Sequence, residues 1–414
     1  MVIDASPAVR RRLIGVIFVV SSLVAAAQVA YFTLMPIIAA DLSGSESAAG
    51  IPSTLGLLFR AAAAYPLGWL MGRSGRRLGL AVGLFIGAVG TALSAWAIGA
   101  GAFWIFAFGA GMAGVARGAA DLSRYAAAEV SPLNRRAKVI GWIVFAGTIG
   151  ALAGPLLVTP AVNLAGAKGL VPDSGPFWVA SIVLVVSTLL TILLLRPDPL
   201  LISRHDEAER VAAGDVPDGP ARSLSQLLKV WNVRLGMAAM TIGQLVMVMI
   251  MVITPLHMDH AGHGTGAISF VILAHQLGMF GLSAVTGWLI DRFGAAQVIV
   301  GGAVILVVAS VLSPFAGSVS ALAVALFLLG LGWNFCFVAG SALLASGLAT
   351  TERTRVQGMS DTWSSAASAL GSLSTGPLFA AGDMLLVGAV GLAFSLGLIA
   401  AWFLLRGRSM VTAQ

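Results

Sequence analysis

The chain has 414 residues, of which 58% are hydrophobic and only 10% are charged. Soluble globular domains carry about 25% charged residues, so this composition excludes an ordinary water-soluble protein and indicates an integral membrane protein. The net charge of +7 does not indicate a nucleic-acid binder, because the basic residues cluster in the connections between apolar runs.

Twelve apolar runs of about 20 residues follow one another, each long enough to cross a hydrocarbon core of about 30 Å. In the first half they cover approximately 13–37, 48–71, 78–99, 103–127, 138–160 and 176–196. In the second half they cover 236–256, 266–290, 296–314, 319–346, 358–380 and 384–405. The first run is too long for the apolar core of a signal peptide. We therefore predict an all-α membrane protein with 12 transmembrane helices.

The positions of the basic residues predict the orientation of these helices. Most of the 24 Lys and Arg residues lie in the connections 2–3, 4–5, 6–7 and 10–11 or in the C-terminal tail. The loops on the opposite side contain one basic residue, Lys168. Because basic residues concentrate in cytoplasmic loops, we expect the N- and C-termini to be cytoplasmic.

Charged residues also occur inside the predicted helices of the first half. Arg60 lies midway along helix 2, and helix 4 carries Arg117, Asp121 and Arg124. Arg117 and Asp121 are four residues apart, the spacing of an intrahelical ion pair. Such groups could form a proton relay, a gate or a structural network. The arginines beside Asp121 favour the structural or gating role.

Residues 197–235 are rich in charge, proline and glycine and separate six predicted helices from six. This composition is typical of a solvated linker. The predicted organisation is therefore an N-terminal six-helix bundle at 1–196, a cytoplasmic linker at 197–235 and a C-terminal six-helix bundle at 236–414.

Methionine and histidine cluster at the start of the second half. The 43 residues from Met237 to Met279 contain seven of the 14 methionines and four of the five histidines. Thioether sulfur and neutral imidazole are ligands for soft or borderline transition metals. A methionine-led set without a central carboxylate or thiolate favours Cu(I), and copper is thus the predicted ligand.

Four of these residues are the candidate metal ligands: Met247, Met251, His275 and Met279. Met247 and Met251 are four residues apart on predicted helix 7 and share one face, whereas Met249 points away. His275 and Met279 repeat the spacing on predicted helix 8. A short connection makes these two helices antiparallel neighbours, which would bring Met247 and His275 to a similar depth of about 13 Å. The two pairs could form one midplane site or a relay.

The connection itself, "HMDHAGHG", carries further metal-binding side chains. We interpret His257, Met258, His260 and His263 as a candidate metal-capture loop at the outer mouth. A solvated or pH-responsive loop is the alternative interpretation.

A related string occurs in each half, "GWLMGRSGRRLG" from Gly68 and "GWLIDRFGAAQV" from Gly287, at an offset of 219 residues. Parallel repeats of six helices are typical of a transporter that alternates access to a central site. The strings resemble the major facilitator superfamily signature, which implies that fold for the whole chain. Asp291 and Arg292 keep the signature in the second half, whereas Gly72 replaces its acidic residue in the first. We assign Asp291 and Arg292, with Arg60, Arg117, Asp121 and Arg124, to a candidate gating and charge network.

The patterns "MVMIM" and "HQLGM" resemble the motifs of the CcoA-type branch of this superfamily. The resemblance implies import of copper across the bacterial cytoplasmic (inner) membrane for assembly of cytochrome c oxidase. It also implies that Met247, Met251, His275 and Met279 bind the metal. Related branches carry organic solutes such as riboflavin, so riboflavin-like import or drug efflux remains the alternative, and a copper sensor is a third.

No enzyme signature competes with a transporter. The sequence contains no P-loop, no G-x-S-x-G motif and no H-E-x-x-H motif. We expect a monomer with no resident cofactor, with copper and the lipid bilayer as its partners and with no nucleic-acid partner.

Overall fold

The computed structural model describes residues 6–131, 136–212, 223–345 and 350–411. The described residues of the first half form six long helices. They are α1 (Pro7–Ser43), α2 (Ile51–Ser74), α3 (Arg76–Ala100), α4 (Phe103–Glu129), α5 (Arg136–Ala167) and α6 (Gly175–Leu194). Two short 3-10 helices, Glu46–Ala48 and Pro172–Ser174, lie in the α1–α2 and α5–α6 connections.

Eight further helices follow among the described residues. They are α7 (Pro199–Ala212), α8 (Leu224–Leu227), α9 (Trp231–His260), α10 (Thr265–Phe280), α11 (Ser283–Phe293), α12 (Ala295–Phe315), α13 (Val319–Ala345) and α14 (Thr350–Val411). The last helix is interrupted at Gly382 and Asp383, whose backbone angles are not helical. The predicted linker 197–235 is thus partly helical, and its residues 213–222 lie outside the described residues.

The all-α membrane architecture predicted from the sequence is confirmed. Ten stretches of the described residues are long and apolar enough to span a membrane. One of them, Met359–Phe403, contains two predicted helices, 358–380 and 384–405, which the break at Gly382 and Asp383 divides. Helix α2 accounts for the remaining predicted span, and α10 and α11 together account for predicted helix 8.

The chain divides into two compact units. Unit 1 contains Met1–Gly44 and Ile51–Pro217, and unit 2 contains Ser45–Gly50 and Asp218–Gln414. The short segment Ser45–Gly50 therefore groups with the second unit, although it lies in the connection between α1 and α2. Its glycine backbone approaches α14, where the Ser372 hydroxyl donates a hydrogen bond to the Gly50 carbonyl at 3.1 Å.

The repeated strings adopt the same local structure in both units. Gly75 and Gly294, 219 residues apart, separate α2 from α3 and α11 from α12 with φ angles of 104° and 87°. Such angles are accessible to glycine and strained for other residues. The guanidinium of Arg73 lies 5.4 Å from the Trp69 ring, and that of Arg292 lies 5.9 Å from the Trp288 ring. The repeat therefore extends from sequence to side-chain contacts.

Unit 1 compensates for Gly72, which replaces the acidic residue of the signature. The Asp198 carboxylate accepts hydrogen bonds from the backbone N–H groups of Arg76 and Arg77 at 2.9 and 3.0 Å. It thereby caps the first turn of α3, where the helix dipole favours a negative charge. The Arg76 side chain also pairs with Glu129 at 2.6 Å. The α2–α3 connection of this unit is therefore held by carboxylates from α4 and from the residue before α7.

Candidate metal site

Helix α9 carries the two methionines of the first predicted pair. Met247 and Met251 are 6% and 7% exposed, so both sulfur atoms lie in the buried part of the helix. Pro255 has no backbone N–H, so the Met251 carbonyl lacks the donor that the fourth following residue of a helix normally supplies. This turn of α9 therefore leaves the Met251 carbonyl without its usual helical donor.

The neighbouring methionines of α9 have packing roles. Met249 faces α14, where the Thr375 hydroxyl donates a hydrogen bond to its carbonyl at 3.4 Å. The Met240 sulfur accepts hydrogen bonds from the hydroxyls of Ser341 and Ser360, on α13 and α14, at 3.6 and 3.4 Å. These contacts agree with the interpretation that Met249 points away from the Met247–Met251 face.

Helix α10 carries His275, which is completely buried. Its Nδ1 lies 3.0 Å from the backbone carbonyl of Leu326 on α13. A carbonyl can only accept, so Nδ1 carries the proton and Nε2 presents a lone pair. Nε2 is buried and has no hydrogen-bond partner among the residues that the structure describes. A metal-binding histidine has this arrangement, because a backbone carbonyl often holds its second ring nitrogen.

Helices α9 and α10 both pack against α13. They do not pack along one another, so the predicted direct packing of helices 7 and 8 is wrong. The cause is the close approach of α10 to α13, at which Gly278 and Gly330 leave room for backbone atoms of the opposite helix. The convergence of the two ligand pairs on one ion stays a prediction, with α13 as the element that both pairs share.

Trp333 of α13 connects the two ligand-bearing helices. Its indole N–H donates a hydrogen bond to the Gln244 side chain of α9 at 2.7 Å. Its ring contacts Phe280 at 6.0 Å between centroids, next to Met279 on α10. Gln244 lies seven residues before Met251 and so shares its helix face. Neither Trp333 nor Gln244 was predicted from the sequence, although that spacing could have identified Gln244.

Asn334 fixes the interruption between α10 and α11. Its side-chain amide donates hydrogen bonds to the Met279 carbonyl at 2.7 Å and to the Ser283 hydroxyl at 3.0 Å. The amide oxygen accepts from the Thr286 hydroxyl at 2.5 Å. A buried asparagine in an apolar helix was the available signal for this role. Met279, which is 8% exposed, is the second-last residue of α10, and its carbonyl accepts one of these hydrogen bonds.

The predicted capture loop is mostly helical, so its placement as a loop was wrong. His257, Met258 and His260 belong to the last turn of α9, which continues past Pro255 and ends before Gly262 at a φ of 77°. Met258 is completely buried, and His263 alone of the four lies in the connection. His257 pairs with Asp383 at 3.3 Å and His260 with Glu46 at 3.7 Å. Their role in metal capture stays a prediction.

The charged residues of unit 1 form an ion-pair network. Asp121 accepts from Arg60 at 2.7 Å and lies 3.3 Å from the Nε of Arg117, which confirms the intrahelical pair. Arg124 donates to the Tyr125 hydroxyl at 3.2 Å. In unit 2, Asp291 is exposed and Arg292 stacks on Trp288 and Phe293. Their role in a gating network stays a prediction.

The donor set limits which metals unit 2 could hold. Among the residues that the structure describes, no group of three or more His, Cys, Asp or Glu side chains is arranged to hold a metal ion. The single cysteine, Cys336, is buried on α13 with its sulfur 3.9 Å from the Ile299 carbonyl. A site built on thioether sulfur and one imidazole remains, and such a set suits a soft monovalent cation better than zinc or magnesium.

Comparisons with known proteins agree on one family. The profile of the Major Facilitator Superfamily matches residues 17–372 and 237–412. The uncharacterized MFS-type transporter YdeG of Bacillus subtilis is 34% identical over 383 residues, which are 91% of this chain and 87% of that protein. The riboflavin transporter RfnT of Brucella anthropi is 27% identical over 365 residues, 86% of each protein.

Two solved structures share the fold. A crystal structure of a D-xylose–proton symporter has a TM-score of 0.71 and 16% identity and covers 93% of this chain and 96% of its own. A bacterial homolog of the human lysosomal transporter Spinster, inward-facing and occupied, has a TM-score of 0.75 and 13% identity and covers 97% of both chains. At these identities the likeness concerns the fold alone.

Proposed function

The chain belongs to the major facilitator superfamily of secondary transporters, and we propose that its cargo is copper, which it imports into the cytoplasm by alternating access. The observation that carries this proposal is the buried imidazole of His275. Its Nδ1 is held by the Leu326 carbonyl, and its Nε2 has no hydrogen-bond partner within the described part of the chain. A buried acceptor without a donor is costly, so a ligand that accepts its lone pair would stabilise this arrangement.

The ligand chemistry supports Cu(I) as the form bound. Met247, Met251 and Met279 offer thioether sulfur, and His275 offers a neutral nitrogen, so the set adds no negative charge to the site. Neutral soft ligands favour a monovalent soft ion over Zn²⁺, Mg²⁺ or Ca²⁺, which take carboxylates or thiolates. A transport site must also release its ion. A set of thioether ligands without an anionic ligand binds Cu(I) less tightly than a thiolate cluster does.

The rest of the proposal has separate support. The positive-inside distribution of basic residues supports cytoplasmic termini and insertion in a bacterial cytoplasmic membrane. The direction of transport and the supply of copper to cytochrome c oxidase assembly rest on the resemblance to the CcoA-type branch. The residues of α9 and α10 that carry this resemblance are the four proposed ligands.

A riboflavin-like organic solute is the second candidate cargo. It is favoured by the relationship to the riboflavin transporter RfnT. The Trp333–Gln244 pair and the adjacent Phe280 would also suit a planar heterocycle, which stacks on aromatic rings and hydrogen-bonds to polar side chains at its edge. In this case His275 Nε2 would accept a hydrogen bond from the solute instead of binding a metal.

Uptake by reconstituted protein distinguishes the two cargoes. Proteoliposomes are supplied with Cu(I) under reducing conditions or with riboflavin, and the accumulated cargo is measured for wild type, His275→Ala, Met247→Ala and the control Met249→Ala. We expect copper uptake to fall about tenfold or more in the first two variants and to persist in the control. Copper uptake that persists in both ligand variants, or riboflavin uptake without copper uptake, would overturn the proposal.

A further inference from the structure

The intramembrane charges of unit 1 do not balance. Arg60 and Arg117 both interact with Asp121, at 2.7 and 3.3 Å, so two guanidinium groups share one carboxylate. Among the described residues, no other carboxylate lies within ion-pair distance of either arginine. The three residues together therefore carry one net positive charge within the membrane-spanning part of the unit.

The two arginines keep donors that Asp121 does not use. A guanidinium has five N–H groups in a planar fork, and the contacts with Asp121 involve one nitrogen of each arginine. The Nε of Arg117 is buried, lies 3.3 Å from Asp121 and makes no hydrogen bond of normal geometry to any described residue. An unsatisfied buried donor on a cation is costly, and an incoming acceptor would relieve that cost.

The cluster is only partly buried. The side chains of Arg60, Arg117 and Asp121 are 35%, 33% and 26% exposed. Exposure of these groups to lipid would cost at least about 2.5 kcal/mol each, so the exposed side of the cluster faces a hydrated space. A small hydrophilic solute could therefore approach the guanidinium groups directly.

The internal repeat relates Arg60 of this cluster to one of the proposed metal ligands in the other unit. At the offset of 219 residues, Gly56 corresponds to His275 and Arg60 corresponds to Met279. The backbone agrees, because the Gly56 carbonyl lies against Gly114 of α4 much as the His275 carbonyl lies against Gly330 of α13. One position of the repeat thus carries a soft donor in unit 2 and a cation in unit 1.

We propose that Arg60 and Arg117 form an oxyanion-binding site in unit 1, which takes the carboxylate or phosphate group of a small solute. The fork geometry of guanidinium matches both groups bidentately, and the net charge of the cluster favours a monoanionic group as the second counter-ion. Asp121 orients both arginines and competes with the solute for them. This site does not depend on copper and is tested without it.

Thermal unfolding of the purified full-length protein tests the proposal. Sodium succinate or sodium phosphate is titrated against sodium chloride at matched ionic strength, and tryptophan fluorescence reports the unfolding temperature. A ligand that binds the folded state raises this temperature saturably. We expect such a rise for at least one of the two anions in wild type, and the comparison of the two identifies the preferred group.

Four variants separate a binding site from a structural network. In Arg60→Gln and Arg117→Gln the half-saturating anion concentration should rise about tenfold or more, because one charged fork is lost. Arg73→Gln, in the exposed last turn of α2, should leave the half-saturating concentration unchanged. In Asp121→Asn the half-saturating anion concentration should fall, because the carboxylate that competes for both arginines is neutralised. A purely structural network predicts only loss of stability in that variant.

The proposal is overturned by any of three results. These are the absence of a saturable shift beyond that of chloride, an equal shift in wild type and both glutamine variants, or weaker anion binding in Asp121→Asn. If the glutamine variants fail to fold, Arg60→Lys and Arg117→Lys replace them. These variants keep the positive charge without the planar guanidinium and should bind the anion with intermediate affinity. The Asp121→Asn measurement is decisive in either case.

Discussion

At the scale of single residues, the tautomer of His275 decides what the side chain can bind. The Leu326 carbonyl accepts the proton of Nδ1, so the second nitrogen is an acceptor and not a donor. Neither ligand spacing nor composition contains this information, because Leu326 is 51 residues away and contributes only backbone. The sequence could predict that His275 was unusual at this depth, but the free lone pair follows from the tertiary structure.

Single substitutions at Met251 and Gln244 distinguish copper binding from the binding of an organic solute. Met251→Leu preserves side-chain volume and removes a sulfur ligand, so we expect Cu(I) affinity to fall about tenfold or more. Gln244→Leu removes a hydrogen-bond partner of Trp333 without removing a soft ligand, and it should change that affinity by less than about threefold. Competition with a chromophoric Cu(I) chelator measures both. Equal losses in the two variants would count against direct sulfur ligation.

At the scale of elements, α13 determines how the site is built. A short α9–α10 connection suggested direct packing of the two helices, but glycines at 278 and 330 let α10 approach α13 at backbone distance. Trp333 and Asn334 then connect α13 to α9 and to the α10–α11 break. Helix positions and periodicity were predictable from apolar runs, whereas the choice of packing partner depends on such small residues and was not.

Gly330→Ala tests this close approach. A Cβ at this position would overlap the His275 carbonyl oxygen and lie 2.8 Å from the Met279 nitrogen, and neither backbone atom can rotate away. We expect a loss of about 1–3 kcal/mol in stability and weaker copper binding, since His275 must move. The matched control is Gly287→Ala, where nothing lies within 4 Å of the added carbon. Unfolding temperatures in detergent should fall for the first variant only; an unchanged temperature would contradict the packing of α10 on α13.

At the scale of the whole molecule, the repeated halves and the distribution of charge predicted the architecture well. The 219-residue offset recurs in the positive φ angles of Gly75 and Gly294 and in the stacked Trp–Arg pairs. Membership of Ser45–Gly50 in unit 2 could not be predicted, because it depends on hydrogen bonds and packing with α14 rather than on hydrophobicity. The orientation in the membrane stays a prediction of the positive-inside rule.

Cysteine labelling tests that orientation. Cys336, the single cysteine of the chain, is completely buried and provides an unreactive background. Ala261→Cys lies in the exposed α9–α10 connection, and Ser225→Cys lies in exposed α8 of the linker. A membrane-impermeant maleimide applied to intact spheroplasts should label the first cysteine and spare the second. The reverse pattern would place both termini outside the cytoplasm.

X-ray absorption at the copper edge of the Cu(I)-loaded, purified protein measures whether methionine sulfur and the free nitrogen of His275 bind the metal, as proposed. We predict a first shell of sulfur with one nitrogen, loss of the nitrogen in His275→Ala and loss of sulfur in Met247→Leu. A shell of oxygen alone, or a spectrum that neither substitution changes, would show that these side chains do not bind copper.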